Sequence, residues 1–202
     1  MTTQSNRRTP IQARSNKTVE EILDAAASLL TSVPFEEITT SRLAEQAGIS
    51  VGALYRFYSD KQEIFDAIAV RELDTFRSEI ERVFTARQLI FSPRKVLGRV
   101  LDAYVEFLEA RPHFRILALG NHISERTREN QSDPQTGPGG ILGNLLVEKY
   151  GWRPGKKMQL RIRISAEAGD RVIAFAYRQE TSEARQAVLN ELKEMLTRYL
   201  LP

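Results

Sequence analysis

Apolar residues recur along this chain with the spacing of a helix surface rather than that of a strand. In the first such segment they share one face of a helix, and they are Ile22, Leu23, Ala26, Leu29 and Leu30. Residues Thr18 to Glu21 match a capping box. Ser15 or Asn16 can instead cap the helix a turn earlier, and Pro34 ends it. The pattern therefore predicts a first amphipathic helix.

Two short helices follow in the predicted order. Thr39 and Thr40 offer an N-cap for the segment SRLAEQA, and Gly48 ends that helix. Ser50 can cap the next helix, which the pattern places at Val51 to Phe57.

Longer helices fill most of the remaining chain. Residues Ser59 to Gln62 match a second capping box and begin a helix that runs to about Phe84. Ser92-Pro93 begins another helix, which extends to Arg111-Pro112 and is followed by a short helix over 113–119.

The last third of the sequence is predicted as one loop and three helices. The turn-forming segment 132–140 is predicted as a loop, and 141–151 as a helix. Segment 160–168 alternates as a strand would, but no second strand is available to pair with it, so we predict a helix. An apolar stripe predicts the final helix at 182–200.

Composition narrows the class of protein. The chain has 202 residues, of which 42% are hydrophobic and 27% charged, as in an ordinary globular protein. The lack of cysteine excludes disulfides and thiolate metal sites, and two histidines are too few for most metal sites. Neither a secretory signal nor an apolar run of about 18 residues is present. We expect a cytoplasmic protein with no metal, no cofactor and no membrane partner.

Positive charge is concentrated at the N-terminus, although the net charge is only +3. Residues 1–17 contain Arg7, Arg8, Arg14 and Lys17 and no acid. A basic terminal arm can follow a phosphate backbone. The alternative is a solvated, disordered tail.

Residues 40–57 have the outline of a helix-turn-helix, because two short helices flank a turn that contains Gly48. In that motif the second helix enters the DNA major groove by its N-terminus. Val51, Gly52 and Ala53 are small enough to let that end approach base edges. Val51 and Ala53 can also contact a thymine methyl group.

Larger side chains follow these small residues. Leu54 and Phe57 are expected to face inward, whereas Tyr55 and Tyr58 can offer hydroxyls to phosphate oxygens. Lys61 lies in the first turn of a helix, where anions are favoured, so we interpret it as a phosphate contact. The alternative is that Tyr55 and Phe57 are core aromatics and that Lys61 is a solvated charge.

Two segments carry a family resemblance, ILDAAASLL in the first helix and ITTSRLAEQAGISVGALYRFYSDKQEIFDAI through the motif. Over residues 14–71 the chain resembles the TetR family of bacterial transcriptional repressors. The resemblance implies an all-α homodimer in which a long helix joins a three-helix DNA-binding head to a helical ligand-binding and dimerisation body. We therefore expect a flexible basic arm at 1–13, the head at 14–74 and the body at 75–202.

The resemblance also implies contacts with double-stranded operator DNA. Thr40, Tyr55 and Lys61 would hold phosphates, and Ser41 and Arg42 would face the DNA beside Thr40.

Base contacts are implied for the start of the second motif helix. Ser50, Val51, Gly52 and Ala53 would lie at base edges, and Arg56 would contact a base or a phosphate.

The body contains aromatic residues that can line a ligand cavity, namely Tyr104, Phe107, Phe114, Trp152, Phe175 and Tyr177. The alternative is that they form an ordinary core.

Four acids lie on or beside apolar stripes, namely Asp102, Glu106, Glu167 and Asp170. We expect each at the exposed edge of its stripe, but a buried one would need a partner and could bind a cationic ligand. His113 and His122 are expected to be surface or satisfied residues.

A dimer seam is expected on the helices near 160–178 and 182–200, which carry more apolar residues than a monomer core needs. The seam residues expected on the second helix are Val188, Leu192, Met195, Leu196 and Tyr199.

The sequence leaves three classes of function. The first is a nucleoid-associated repressor that a small hydrophobic or cationic effector releases from its operator. The second is an activator or constitutive repressor of the same fold without an effector. The third is an all-α enzyme or lipid-binding protein that mimics the motif, and the absence of a nucleophile–base motif argues against the enzyme.

Overall fold

The computed structural model describes residues 8–86, 92–131 and 155–201, and it describes side chains at 15–84, 92–130 and 155–201. The regular structure in these ranges is helical throughout, which confirms the all-α prediction. The elements are α1 (Arg8–Ser32), a 3₁₀ turn (Phe35–Glu37), α2 (Thr40–Gln46), α3 (Val51–Leu54), α4 (Lys61–Ala86), α5 (Pro93–Ala110), α6 (Pro112–Leu119), α7 (Glu125–Gln131), α8 (Lys156–Tyr177) and α9 (Ser182–Leu200). The predicted loop at 132–140, the predicted helix at 141–151 and Trp152 lie outside the described residues. Among the helices so described, none is long and apolar enough to cross a membrane.

The chain divides into two compact units, Met1–Ile68 and Ala69–Pro202. In the N-terminal unit, α1 packs on α2 and α2 packs on α3. The apolar stripe predicted for α1 is buried, as are Ile38, Leu43, Ala44, Leu54, Ile64, Phe65 and Ile68. The ring of Phe35 lies 5.0 Å from that of Phe65, which fixes the 3₁₀ turn against the start of α4.

Helix α1 begins earlier than predicted. Its backbone is helical from Arg8, so Thr18 lies inside the helix and does not cap it, and part of the segment predicted as a flexible arm is helical. Pro10 does not prevent this, because proline is tolerated in the first turn of a helix.

Helix α3 is shorter than predicted and ends at Leu54. The next residues form tight turns, in which the amide of Arg56 donates to Ala53 O at 3.2 Å and that of Phe57 to Leu54 O at 2.9 Å. Leu54 is buried as expected, whereas Phe57 is half-buried.

Capping side chains set the orientation of the motif helices. Thr39 accepts a hydrogen bond from the amide of Arg42, and Ser50 accepts one from the amide of Ala53, as predicted. At α4 the cap lies later than predicted, because Asp60 accepts from the amide of Glu63 at 2.9 Å. The carboxylate of Glu63 in turn accepts from the amide of Ser59 at 2.7 Å.

In the C-terminal unit, α9 packs on α8 and α5, and α6 packs on α5 and α8. Segment 160–168 is helical, as predicted. A row of aromatic rings forms the centre of the core, with Phe76 5.1 Å from Phe107 and Phe107 5.8 Å from Phe114.

A buried acid joins α4 to the α5–α6 corner. Glu72 lies 3.2 Å from Nε of Arg111 and 3.1 Å from Nε2 of His113. Burial raises the pKa of Glu72, but the hydrogen bond with His113 and the charges of Arg71 and Arg111 outweigh it and hold that pKa below its ordinary value. His113 is therefore a satisfied residue, as expected.

Candidate functional site

The residues predicted to contact DNA lie on α2, on α3 and in the turns around them, and we refer to them as the α2–α3 surface. Ser41, Arg42, Ser50, Gly52 and Arg56 are exposed. Val51 and Tyr55 are also among the exposed large apolar side chains. The members of this surface are Thr40, Ser41, Arg42, Ser50, Val51, Gly52, Ala53, Tyr55, Arg56 and Lys61.

Two of the predicted phosphate contacts lie side by side. The phenolic oxygen of Tyr55, in the turn after α3, is 3.3 Å from the hydroxyl oxygen of Thr40 on α2, so the two hydroxyls converge. Tyr55 is 52% exposed, which excludes the alternative that it is a core aromatic.

Arg42 already has a partner within the protein. Its guanidinium donates to the carbonyl oxygen of Glu37 at 3.2 Å and lies 3.3 Å from the Glu37 carboxylate. Both side chains are largely exposed, so the pair adds little stability and is open to exchange with a phosphate.

Lys61 is not a freely solvated charge. Its ammonium donates to the carbonyl oxygen of Ile38 at 2.9 Å and lies 5.4 Å from the ring centroid of Phe35. The lysine therefore ties the first turn of α4 to the segment that precedes α2, and this structural role is independent of any phosphate contact.

Two glycines of the motif have different constraints. Gly48 has a φ of +67°, a left-handed conformation that ends α2 and disfavours other residues. Gly52 has an ordinary φ, and a Cβ added there would have no atom within 4 Å. The absence of a side chain at Gly52 is thus not required by packing within the protein.

The C-terminal unit contains a cavity of about 110 Å³ that is partly open to solvent. It lies among α4, α5, α8 and α9, and its lining residues are Phe76, Leu97, Val100, Leu101, Tyr104, Ile162, Ser165, Ala166, Gly169, Asp170, Ile173, Leu196 and Leu200. Of the residues that the sequence assigned to a pocket, Tyr104 is the member that lines this cavity.

The other residues predicted for a pocket do not line this cavity or are outside the described residues. Phe107 and Phe114 are buried in the core, where the ring of Phe107 packs edge to face against those of Phe76 and Phe114. Phe175 is 48% exposed and lies outside the cavity lining. Trp152 is among the residues that the structure does not describe.

A hydrogen bond between Tyr104 and Asp170 provides the main polar feature of the cavity. The Tyr104 hydroxyl donates to Oδ1 of Asp170 at 3.3 Å. Burial raises the pKa of Asp170 to about 7, while the Tyr104 hydrogen bond opposes that rise. Burial and the Asp170 carboxylate raise the pKa of Tyr104 well above its ordinary value.

Of the four acids expected at the exposed edges of apolar stripes, Asp170 is therefore the exception. Asp102, Glu106 and Glu167 are exposed, as expected. Asp170 instead lies at the cavity wall, where the hydroxyl of Tyr104 from α5 donates a hydrogen bond to it.

Sequence reasoning missed Ser165 and Gly169, which also line the cavity. The hydroxyl of Ser165 is buried and has no hydrogen-bond partner. Gly169 is buried, and a Cβ added there would meet nothing within 4 Å. The small residues of SAEAG, one turn apart on α8, were the available signal. Among the residues with described side chains, none of the His and acid clusters could hold a metal ion.

Two of the residues predicted for the dimer seam on α9 are buried within the single chain. Leu192 and Leu196 are 1% and 6% exposed, since both face the core of their own unit. Met195 and Tyr199 are 44% and 36% exposed, and Val188 is half-buried. Helix α8 contributes Leu160, Ile164 and Phe175 to the exposed apolar residues.

Family comparison defines the class of protein. The protein-family model described as "Bacterial regulatory proteins, tetR family" matches residues 22–68. A second family model, described as "Tetracyclin repressor-like, C-terminal domain", matches residues 92–202. The chain belongs to the TetR family of DNA-binding transcriptional regulators. This family binds DNA, usually as dimers, and has ligand-binding C-terminal domains.

Named relatives and solved structures agree with that assignment. Nucleoid occlusion factor SlmA of Idiomarina loihiensis is 31% identical over 104 residues, which are 52% of this chain and 52% of that protein. SlmA of Shewanella frigidimarina is 32% identical over 151 residues, 63% of this chain and 76% of that protein. The chain thus spans about half the length of the first relative.

Among solved structures, a TetR-family regulator from Streptomyces coelicolor has a TM-score of 0.71 and 26% identity, over 91% of this chain and 97% of that chain. FadR from Bacillus subtilis, in complex with stearoyl-CoA, has a TM-score of 0.65 and 16% identity, over 88% and 96%. The second match shows the shared fold alone.

Proposed function

We propose that the protein is a cytoplasmic homodimeric repressor that holds operator DNA through the α2–α3 surface and is released by a small-molecule effector. The single observation that carries the DNA interface is the convergence of exposed Tyr55 and Thr40 beside the open N-terminus of α3. Hydroxyl groups of this kind fix a protein on phosphates, while base edges give sequence preference. The proposed head is 14–74 and the proposed body 75–202.

The proposed dimer seam is the exposed apolar face of α8 and α9. It comprises Leu160, Ile164, Phe175, Met195 and Tyr199, all at least 36% exposed. Exposed apolar residues grouped on two adjacent helices are typical of a protein–protein interface. In a symmetric dimer the same face meets itself.

The proposed effector site is the cavity beside Tyr104. Phe76 belongs to α4 and lines that cavity. A ligand that displaces Phe76 would act on α4, whose first residue is Lys61. The ligand would shift DNA binding only by its differential affinity for the two arrangements, typically about 1–3 kcal/mol.

The competing proposal is a constitutive DNA-binding protein without an effector. Its support is the name of the curated relatives, nucleoid occlusion factor, which denotes a role other than ligand-controlled repression.

Selection of duplexes from a random pool, followed by footprinting and transcription, tests the proposal. We expect two half-sites about 34–36 Å apart, or a multiple of that distance, and reduced transcription when the site overlaps a promoter. Binding without sequence preference would contradict it. A ligand that binds the cavity should weaken DNA binding by roughly 5- to 150-fold. Because the coupling is reciprocal, operator DNA should weaken binding of that ligand by the same factor. Equal affinities would favour the constitutive protein.

A further inference from the structure

The size of the cavity limits the ligand. Its volume is about 110 Å³. An engineered apolar cavity of about 150 Å³ binds benzene, whereas pockets for drug-sized ligands measure about 300–1,000 Å³. The cavity therefore suits a compact molecule with a short alkyl chain or a single ring.

The lining residues determine the charge of the ligand. Apolar side chains form most of the wall, and Asp170 is its acid. Among the described residues that line the cavity, none is a lysine, arginine or histidine. A carboxylate in an apolar wall attracts a cation and repels an anion, and both effects are stronger there than in bulk water.

Ser165 indicates a hydrogen-bond donor or acceptor on the same ligand. The residue is only 8% exposed, and its buried hydroxyl oxygen has no hydrogen-bond partner among the residues that the structure describes. An unsatisfied buried hydroxyl costs about 1–3 kcal/mol, so a ligand that supplies the missing partner binds more tightly. An ammonium group has three N–H donors, enough for Asp170 and Ser165 together.

We infer that the cavity binds a small monocationic alkyl or aryl amine, whose ammonium group pairs with Asp170 and donates to Ser165 while its apolar body fills the space beside Phe76. This inference rests on the proposed function, because it names the chemical class of the effector. It also excludes long acyl chains, which are too large for the cavity.

The groups around Asp170 make amine binding sensitive to pH. Tyr104 on α5 donates to it, Glu167 and Arg171 flank it on α8, and Arg128 faces it from α7. Arg171 and Arg128 also donate to the side chain of Asn121, which holds both guanidinium groups in place. Because the pKa of Asp170 is about 7, the ionised fraction rises about tenfold between pH 6 and pH 8.

Calorimetry of the full-length protein with three ligands of equal length tests the inference. They are 1-hexylamine, 1-hexanol and hexanoate, which carry positive, zero and negative charge. We expect hexylamine to bind at least tenfold more tightly than either of the others at pH 8, and its affinity to fall about tenfold at pH 6. Comparable binding of the three ligands, or no binding of hexylamine, would overturn the inference.

Three variants make the test specific to this cavity. Asp170→Asn keeps the shape of the side chain and should abolish both the preference for hexylamine and its pH dependence. Ser165→Ala should weaken hexylamine several-fold. Gly169→Val should fill the cavity and block all three ligands, because a Cβ at this buried position meets nothing within 4 Å. Unchanged hexylamine binding by Asp170→Asn or by Gly169→Val would also overturn the inference.

Operator affinity, measured separately with and without hexylamine, distinguishes the two proposals. Selective amine binding that leaves operator affinity unchanged would support the ligand class and contradict release by an effector. Loss of amine selectivity in a protein that still binds its operator would contradict the ligand class alone.

Discussion

The phenolic oxygen of Tyr55 lies 3.3 Å from the hydroxyl oxygen of Thr40, and this pair links the turn after α3 to the first residue of α2. Both hydroxyls can turn from each other to a phosphate oxygen, because hydroxyl groups rotate and can donate or accept.

Tyr55→Phe removes one of these hydroxyls. We expect DNA affinity to fall about tenfold, since hydrogen bonds to charged groups contribute about 1.5–3 kcal/mol. Thermal stability should change by less than about 0.5 kcal/mol, because the side chain is exposed. A mobility-shift titration and a thermal melt measure the two effects. Thr31→Val is the matched control, since its hydroxyl bonds Ser28 O within α1 and lies outside the α2–α3 surface.

The two motif glycines give a second, paired prediction. Gly52→Ala should keep or raise the free energy of unfolding by at most about 1 kcal/mol, yet weaken DNA binding, because its new methyl group would lie between α3 and the bases. Gly48→Ala should lower the free energy of unfolding by about 1–2 kcal/mol, because its φ of +67° disfavours a Cβ. Urea unfolding and DNA titration separate the two. If Gly52→Ala binds DNA as tightly as the wild type does, the bases do not lie against α3.

Helices α8 and α9 allow dimerisation to be tested without unfolding the protein. Leu160→Glu combined with Met195→Glu should give folded monomers, since both side chains are well exposed. Leu192→Glu should instead unfold the chain, because burying an unpaired charge costs several kcal/mol and this side chain is only 1% exposed. Light scattering reports the mass, and circular dichroism reports the helix content. A folded dimer in the double variant would place the seam on another face.

Because of the ion pairs of Glu72, we expect the stability of the protein to fall at acid pH. The pKa of Glu72 is lowered in the folded protein, so its contribution is present above the ordinary value of 4.5 and is lost as the pH falls through the folded value. Glu72→Gln should cost about 2 kcal/mol at pH 7, because it weakens the bonds to Arg111 and His113. The variant and the wild type should converge as the pH falls from 4.5 through the lowered pKa of Glu72.

Glu79→Gln is the matched control for Glu72→Gln. Glu79 also pairs with Arg111, at 2.8 Å, but its side chain is more exposed, so the cost should stay below about 1 kcal/mol. Urea unfolding measures the loss in the free energy of unfolding for each variant. Equal losses would show that the burial of Glu72 does not strengthen its ion pairs.

Most of the helices could be predicted from signals carried by residues that are close in sequence. The caps at Thr39 and Ser50, the stop at Gly48 and the stripes of α5 and α9 depend on neighbours in sequence, so they could be predicted. The end of α3 could not, because Tyr55 is a competent helix residue and the turns closed by the amides of Arg56 and Phe57 have no signal in the sequence.

The cavity depends on contacts between distant segments, which limited its prediction. An aromatic residue such as Phe107 fits a pocket or a core equally well, and only the stacking on Phe76 and Phe114 decides between them. Asp170 looked like an edge residue until Tyr104, from another helix, was placed against it. Leu192 and Met195 likewise share an apolar stripe, and only the position of the unit's own core separates them.

The dependence of operator affinity on salt concentration tests the central claim most directly. The claim is that the α2–α3 surface and the basic N-terminal residues hold DNA phosphates. With about four to eight phosphate contacts per dimer, affinity should fall by roughly 10²–10⁴ between 50 and 200 mM salt. The measurement is a fluorescence-anisotropy titration of the selected duplex at five salt concentrations. A steep linear fall in log affinity with log salt is the predicted result, and an affinity that does not change with salt would contradict the account.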